Sequence, residues 1–285
     1  MKDLLKIVAY FLAVIVAGAL LAPVLYWAGR SFFPGTEFQS FFNRGLLVAA
    51  IAMIWPMVRW LRIDGMRGLG LDPDPHAWSR FAVGFAIAAL CVSLLAGGYI
   101  AGEIYRWKGT LPWSKPPSLM LSAITVGLIE EGLFRGGMLG LFLRSMRPGV
   151  AIVATSAIFS VVHFLKPDET FQVAEVGWTS GFALIPHLFH QFGNPLLLLG
   201  GFTTIFVLGL MLADVTVRTR SLWMAIGLHA GVVFVKMSFS SFTKRQEVHL
   251  PWIGKELQIG LVPVAALLLG WWLARLWIRH ARRTA

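Results

Sequence analysis

Charged residues are scarce in this chain, and acidic residues are the scarcest. Of its 285 residues only 14% are charged, with 14 Asp and Glu against 25 Lys and Arg, while 57% are hydrophobic. Soluble domains carry about 25% charged residues, so this composition excludes a soluble globular protein. The single cysteine, Cys91, excludes an intramolecular disulfide and, inside an apolar run, makes a poor nucleophile. A polytopic membrane protein is the class that remains.

Several catalytic and binding patterns are also missing. The sequence contains no HExxH, the commonest zinc-protease pattern, and no GxSxG, the turn that presents a serine nucleophile. The formal net charge is +11, but the basic residues sit in short groups at the ends of apolar runs and form no long basic segment. We therefore expect no nucleic acid partner and attribute the charge to membrane topology.

Apolar runs recur along the whole chain. A hydrocarbon core of about 30 Å takes roughly 20 helical residues to cross, and eight runs approach or exceed that length. We predict an all-α polytopic membrane protein, a bundle of about eight transmembrane helices that forms a single integral-membrane domain over residues 1–285. The distribution of Lys and Arg predicts that both termini lie in the cytoplasm. We also expect a location in a bacterial inner (plasma) membrane. The predicted spans are Ile7–Ala28, Gly45–Leu61, Phe81–Ala101, Ser118–Leu143, Val150–Leu165, Pro195–Val215, Leu222–Phe239 and Ile259–Ile278.

The stretch GLIEEGLFRGG, residues 127–137, places two carboxylates and an arginine inside the fourth predicted span. Each such charge costs about 2.5–3.5 kcal/mol at the centre of a span, so we expect these three to be compensated or functional. Glu131 and Arg135 stand in the favourable order for a helical ion pair, and a purely structural salt bridge is one interpretation of them. Glu130 points about 100° away, which leaves it available as a general acid or base.

Two later spans each carry a histidine. FSVVHF places Phe159 and His163 on one helical face, and GLHAGVVF contains His229. At about 1.5 Å per residue, Glu130 and His163 lie at the same depth, roughly 21–23 Å from the loop that joins their spans. A cluster of Glu130, His163 and His229 inside the membrane is therefore geometrically possible. His163 alone is also compatible with a core residue that bonds a carbonyl group, whereas we favour a functional role for His229.

Two further expectations concern packing. Gly132, Gly136 and Gly140 repeat every four residues, which predicts a close-packing face on the fourth span. Asp214 and Lys236 stand near span ends, where we expect an interface anchor and a side chain that snorkels to the membrane surface.

EEGLFR, FSVVH and the later His229 together resemble the pattern of the CPBP family, which comprises CAAX proteases and bacteriocin-processing enzymes. That pattern is EExxxR, then FxxxH, then a further histidine. The resemblance covers a catalytic core over residues 118–239. It implies a bundle of about eight transmembrane helices and the activity of an intramembrane endopeptidase, a class that includes the type II prenyl-protein peptidases.

Carried over residue by residue, the resemblance also implies roles for the polar residues. Glu130 would be the base that activates water, assisted by His163. Glu131 and Arg135 would shape the site, and His229 would help to stabilise the oxyanion. The mechanism that we favour requires no cofactor. The alternative is a zinc site in which Glu130, His163 and His229 are the ligands.

One departure from the family pattern opens alternative functions. Family members commonly carry an asparagine four residues after the last histidine, where this chain has Val233. A second oxyanion donor is then missing or supplied elsewhere, and a catalytically reduced immunity or scaffold protein is one alternative. Another is a proton-coupled transporter with Glu130, Glu131 and His163 as a relay.

The expected partners are membrane lipid and a membrane-associated or lipidated protein or peptide. The sequence leaves open the substrate's identity, the cleavage site, the membrane face from which the site opens and the oligomeric state.

Overall fold

The computed structural model describes residues 2–60, 74–109, 115–168, 170–171 and 173–284. Most of them are helical, because a long apolar segment in a membrane must satisfy its backbone hydrogen bonds internally. The α-helices are α1 (Lys2–Gly29), α2 (Phe38–Trp60), α3 (Ala77–Ala101), α4 (Pro116–Glu131), α5 (Gly140–Phe142), α6 (Pro148–Phe164), α7 (Ser180–Ala183), α8 (Pro195–Leu197), α9 (Thr203–Thr219), α10 (Trp223–Phe242) and α11 (Val262–Thr284). The other elements are π-helices at Gly132–Leu139 and Leu198–Phe202, a 3-10 helix at Pro186–Gly193, and strands β1 (Tyr105–Trp107) and β2 (Thr243–Arg245).

Six helical segments among the described residues are long and apolar enough to cross a membrane. They are Leu5–Gly29, Ala77–Ala101, Pro116–Phe142, Pro195–Thr219, Trp223–Phe242 and Val262–Arg283. The other two predicted spans lie in α2 and α6, which contain the shorter apolar stretches Phe38–Ile54 and Pro148–Phe164. The predicted end of the second span, Leu61, lies outside the described residues. The prediction of an all-α, multi-pass integral membrane protein is confirmed.

The chain divides into two compact units, and the first consists of Met1–Gly65 with Val162–Asn194. Its helices α1 and α2 are in backbone contact, because a Cβ on Gly45 would lie 2.7 Å from the carbonyl oxygen of Gly18. The buried core of this unit consists of Ala19, Ala22, Phe38, Phe42, Leu184 and Leu188. Burial of the two phenylalanines explains why α2 begins before the predicted boundary at Gly45.

The second unit consists of Met66–Val161 with Pro195–Ala285, and α3 and α10 are closely packed within it. A Cβ on Gly84 would lie 2.5 Å from the carbonyl oxygen of Met224, and one on Gly231 would lie 2.9 Å from Cβ of Ala88. Small residues let two helix backbones approach this closely. Because the contacts advance along both helices together, α3 and α10 run in the same direction.

A short antiparallel ribbon follows these two helices. β1 pairs with β2, with Tyr105 opposite Arg245 and Trp107 opposite Thr243. The sequence did not predict a strand here, since three-residue segments are too short to show an alternating pattern. The ribbon lies next to the C-terminal ends of α3 and α10, where both spanning helices end.

Asp214 on α9 is a buried acid, which the sequence placed at the interface. Only 6% of its surface is exposed. Its carboxylate accepts hydrogen bonds from Nε of Arg218 at 2.9 Å, Nε of Arg275 at 2.8 Å and Nε1 of Trp271 at 2.8 Å. Because these donors lie on α9 and α11, Asp214 connects the two helices and its charge is compensated within the fold.

Candidate active site

The two glutamates lie where the helix geometry changes. α4 ends at Glu131, and Gly132–Leu139 continues the same segment as a π-helix. Glycines at 132, 136 and 137 weaken the preference for a regular α-helix. The sequence predicted the span but not this change of helix geometry within it. π-Helical turns inside α-helices are frequent at functional sites.

Of the three glycines predicted to form a close-packing face, Gly136 and Gly140 stay a prediction, and Gly132 can be compared with the structure. A Cβ on Gly132 would meet no described atom within 4 Å beyond its own helix, so the predicted close-packing face is wrong at this position. One turn earlier, a Cβ on Gly127 would lie 3.2 Å from the carbonyl oxygen of Ile226 and 3.4 Å from the nitrogen of Ala230. Gly127 therefore brings α4 close to α10 just before the two glutamates.

Glu131 and Arg135 form the ion pair that their spacing predicted. Nη1 of Arg135 donates to Oε1 of Glu131 at 2.9 Å, and neither side chain is exposed. Nη2 of Arg135 donates to the carbonyl oxygen of Gly209 on α9 at 3.3 Å. Sequence reasoning missed Gly209, because a backbone acceptor leaves no signal in the side-chain pattern. A Cβ on Gly209 would lie 2.9 Å from Cβ of Ser156, so this glycine also brings α9 against α6.

His229 on α10 lies between the two carboxylates. Its Nδ1 is 2.7 Å from Oε1 of Glu131, and its Nε2 is 3.8 Å from Oε2 of Glu130. The imidazole is almost fully buried, whereas the Glu130 side chain is 29% exposed. A carboxylate only accepts hydrogen bonds, so Nδ1–H donates to Glu131. That bond orients the ring and directs Nε2 toward Glu130. The two glutamates therefore converge on one histidine, from opposite ring nitrogens.

Aromatic rings shield the charged groups. Phe159 on α6 is fully buried, and its ring lies 4.3 Å from Cζ of Arg135, a cation–π contact. The Phe159 ring also stands edge-on to those of Phe134 and His229, with centroids 5.0 Å and 6.1 Å away. Phe159, which the sequence pattern paired with His163, therefore packs directly on the guanidinium and imidazole of the site.

His163 lies one helical turn beyond Phe159 on α6. It belongs to the first unit, whereas Glu130, Glu131 and His229 belong to the second. The predicted approach of His163 to Glu130 stays a prediction. Val233 lies one turn after His229 on α10, where the resemblance leads one to expect an amide.

The zinc alternative needs three protein ligands and an open position. Within the second unit, Nε2 of His229 and the Glu130 carboxylate could serve as two of these ligands. Glu131 accepts the hydrogen bond of the other ring nitrogen, Nδ1, as carboxylates do for many metal-bound histidines. Within the described residues of this unit, no three His, Cys, Asp or Glu side chains are grouped closely enough to hold a metal ion. The third proposed ligand, His163, belongs to the other unit, so the zinc site stays an alternative.

These features define a class: multi-pass α-helical membrane proteins that bury carboxylates, a histidine and an arginine in one polar cluster. Such intramembrane groups are costly and usually functional.

Residues 112–235 match the family model described as type II CAAX prenyl endopeptidase Rce1-like. Over these residues the chain is similar to the Rce1-like family, and the resemblance to the CPBP family of CAAX-type proteases is confirmed. Searches of curated proteins and of solved structures gave no match.

Proposed function

We propose that this protein is an intramembrane endopeptidase in which Glu130 activates water. The observation that carries the proposal is the position of His229, with one ring nitrogen bonded to Glu131 and the other facing Glu130 at 3.8 Å. Of the two glutamates, Glu131 is fully buried and already has two partners. Glu130 is the partly exposed one, and we therefore assign the reaction with water to it.

In the proposed reaction the Glu130 carboxylate takes a proton from water. The resulting hydroxide attacks the carbonyl carbon of the scissile peptide bond and forms a tetrahedral oxyanion. The carbon–nitrogen bond then breaks, and Glu130 returns the proton to the leaving amine. General acid–base catalysis of this kind contributes about 10²–10⁴-fold to the rate.

His229 and its partners stabilise the tetrahedral intermediate. In its doubly protonated form His229 donates Nδ1–H to Glu131 and keeps Nε2–H for the oxyanion. Glu131 and Arg135 act as positioning residues, because they hold the imidazole in one orientation. His163 assists Glu130 in this proposal, as the family resemblance implies. No cofactor takes part.

The proposed substrates are membrane-associated or lipidated proteins and peptides. The matched family is described as a prenyl endopeptidase, which makes a prenylated C-terminal peptide the first candidate to test. The proposed location is the bacterial inner membrane. We orient both termini toward the cytoplasm, since Lys and Arg are more numerous on that side of the spans.

The test is cleavage of a farnesylated CAAX peptide by the full chain in lipid nanodiscs, with terminal-peptide analysis of host membranes as a second readout. We expect Glu130→Gln to lower the cleavage rate by about 10²–10⁴-fold without loss of folded protein. The matched control is Glu103→Gln, whose side chain is 77% exposed. Unchanged processing in the Glu130 variant would remove this residue from the mechanism.

Val233 supports a second candidate, a catalytically reduced member of the family. An aliphatic side chain one turn after His229 donates no hydrogen bond, so any second oxyanion donor must come from elsewhere. In that case the wild-type chain would cleave slowly or not at all, and its role would be that of an immunity or scaffold protein.

A further inference from the structure

A cavity lined by basic side chains opens where α10 ends and the β1–β2 ribbon begins. Its volume is about 510 Å³. We call it the lysine pocket. It is lined by Tyr105, Lys108, Lys236, Phe239, Ser240, Thr243, Lys244, Arg245, Lys255, Glu256 and Leu257. Five cationic side chains therefore face one carboxylate around a single cavity.

Part of this charge is used within the fold. Nζ of Lys236 lies 2.6 Å from Glu256, and Nζ of Lys108 donates to the carbonyl oxygen of Ser240 at 2.8 Å. The expectation that Lys236 snorkels to the membrane surface is thus replaced by an ion pair inside the pocket. Arg245 donates to the carbonyl oxygen of Lys255 at 2.7 Å, which neutralises no charge.

Lys244 and Lys255 carry the unused charge. Within the described part of the chain, neither ammonium group has a hydrogen-bonding or ionic partner. The pocket therefore has an excess of positive charge and free N–H donors. An anion with several acceptor oxygens fits this donor set.

The surroundings place the pocket at a membrane surface. α3 and α10 both span the membrane and lead directly into β1 and β2. Trp107 and Trp252, near this end, are 57% and 59% exposed, as is typical of the aromatic belt at an interface. Phe239 gives the pocket an apolar wall next to its cations. The Tyr105 hydroxyl stays neutral beside the lysines, since burial raises its pKa above the usual value.

We propose that the lysine pocket binds the phosphate group of an anionic phospholipid. A headgroup phosphate supplies the acceptor oxygens that Lys244 and Lys255 lack, and its acyl chains follow the apolar surface of the spanning helices. The pocket is separate from the catalytic cluster, because Lys236 lies two helical turns beyond His229, about 10 Å along the axis of α10. The proposal goes beyond the proposed peptidase activity and does not depend on it.

Native mass spectrometry of the full chain released from detergent tests this proposal. The probes are phosphatidylglycerol, zwitterionic phosphatidylcholine, inorganic phosphate and a short peptide with a free C-terminal carboxylate. The variant is Lys244→Gln/Lys255→Gln. Its matched control is Lys115→Gln/Lys166→Gln, which removes the same charge from exposed lysines outside the pocket.

We expect the pocket variant to bind phosphatidylglycerol about 30-fold more weakly, on the basis of roughly 1 kcal/mol per basic side chain at an anionic membrane surface. The control variant should bind it like the wild type. A melting temperature equal to that of the wild type would show that the pocket variant folds.

Three results would overturn the proposal. Equal retention of the two lipids would show that the pocket does not select an anionic headgroup. Displacement of the lipid by millimolar inorganic phosphate would identify free phosphate as the ligand. Pocket-dependent binding of the peptide but not of the lipid would reassign the site to a substrate carboxylate.

Discussion

The buried ion pair between Glu131 and Arg135 offers a direct test of how the polar cluster is held together. Arg135→Met keeps a long unbranched side chain but removes the charge. The change leaves Glu131 with His229 alone and removes the contact with Phe159 at 4.3 Å. Breaking a buried ion pair costs about 3–5 kcal/mol, because the remaining charge is uncompensated. We expect a loss of that size in the free energy of unfolding.

The double variant Glu131→Gln/Arg135→Met measures the interaction energy between the two side chains, apart from their contacts with other residues. Because it removes both charges, we expect it to lose less stability than the sum of the two single variants, by about 1–3 kcal/mol. Glu103 and Arg106 provide the control, since they form a pair at 3.2 Å whose side chains are 77% and 65% exposed. The corresponding changes in this exposed pair should stay within roughly 1 kcal/mol.

The assay is equilibrium unfolding of the purified full chain in mixed micelles, followed by the fluorescence of its 12 tryptophans. The same titration is run on the wild type, both single variants, the double variant and the exposed-pair controls. If the losses in unfolding free energy at Glu131 and Arg135 simply add, the two side chains are not energetically coupled. The buried ion pair would then not be what holds the polar cluster together.

Three other predictions concern catalysis and packing. Val233→Asn places an amide one turn beyond His229, and we expect faster cleavage of the farnesylated peptide, up to the roughly 10²–10³-fold effect of one oxyanion donor; an unchanged rate would mean that another group already fills this role. Chelation with EDTA and phenanthroline should leave the cleavage rate unchanged, whereas a loss that zinc reverses would favour the zinc mechanism. Gly227→Ala should cost about 1–3 kcal/mol of stability, because its Cβ would clash with the carbonyl oxygen of Phe81. Gly97→Ala should not, since a Cβ there meets nothing within 4 Å, and equal melting temperatures for the two variants would contradict the packing argument.

Hydropathy was sufficient to predict the fold class, because a membrane span depends on a property that each segment carries by itself. The burial of Asp214 was not predictable in this way. Its partners Trp271 and Arg275 lie on another helix far along the chain, and a pattern within one segment contains no information about such neighbours.

In the candidate site, too, contacts within one helix were predictable from the sequence and the particular contacts between helices were not. The ion pair of Glu131 with Arg135 follows from spacing on one helix and was predicted. A cluster containing Glu130 and His229 was also considered possible from the sequence. The bond between Glu131 and His229 was not predicted, because it depends on how closely Gly127 lets α4 approach α10. The π-helix after Glu131 also escaped prediction, since its glycines are equally compatible with a packing surface on a regular helix.

The location of the two ion-pair partners on one helical segment affects how the protein is made. That segment enters the bilayer during synthesis before α10 exists, so His229 is not yet present to neutralise Glu131. Arg135, one turn away at 2.9 Å, accompanies the glutamate into the membrane and lowers the cost of its insertion from the start. The later arrival of His229 then converts a self-sufficient pair into a three-membered cluster, so that the order of translation is also the order in which the site is assembled.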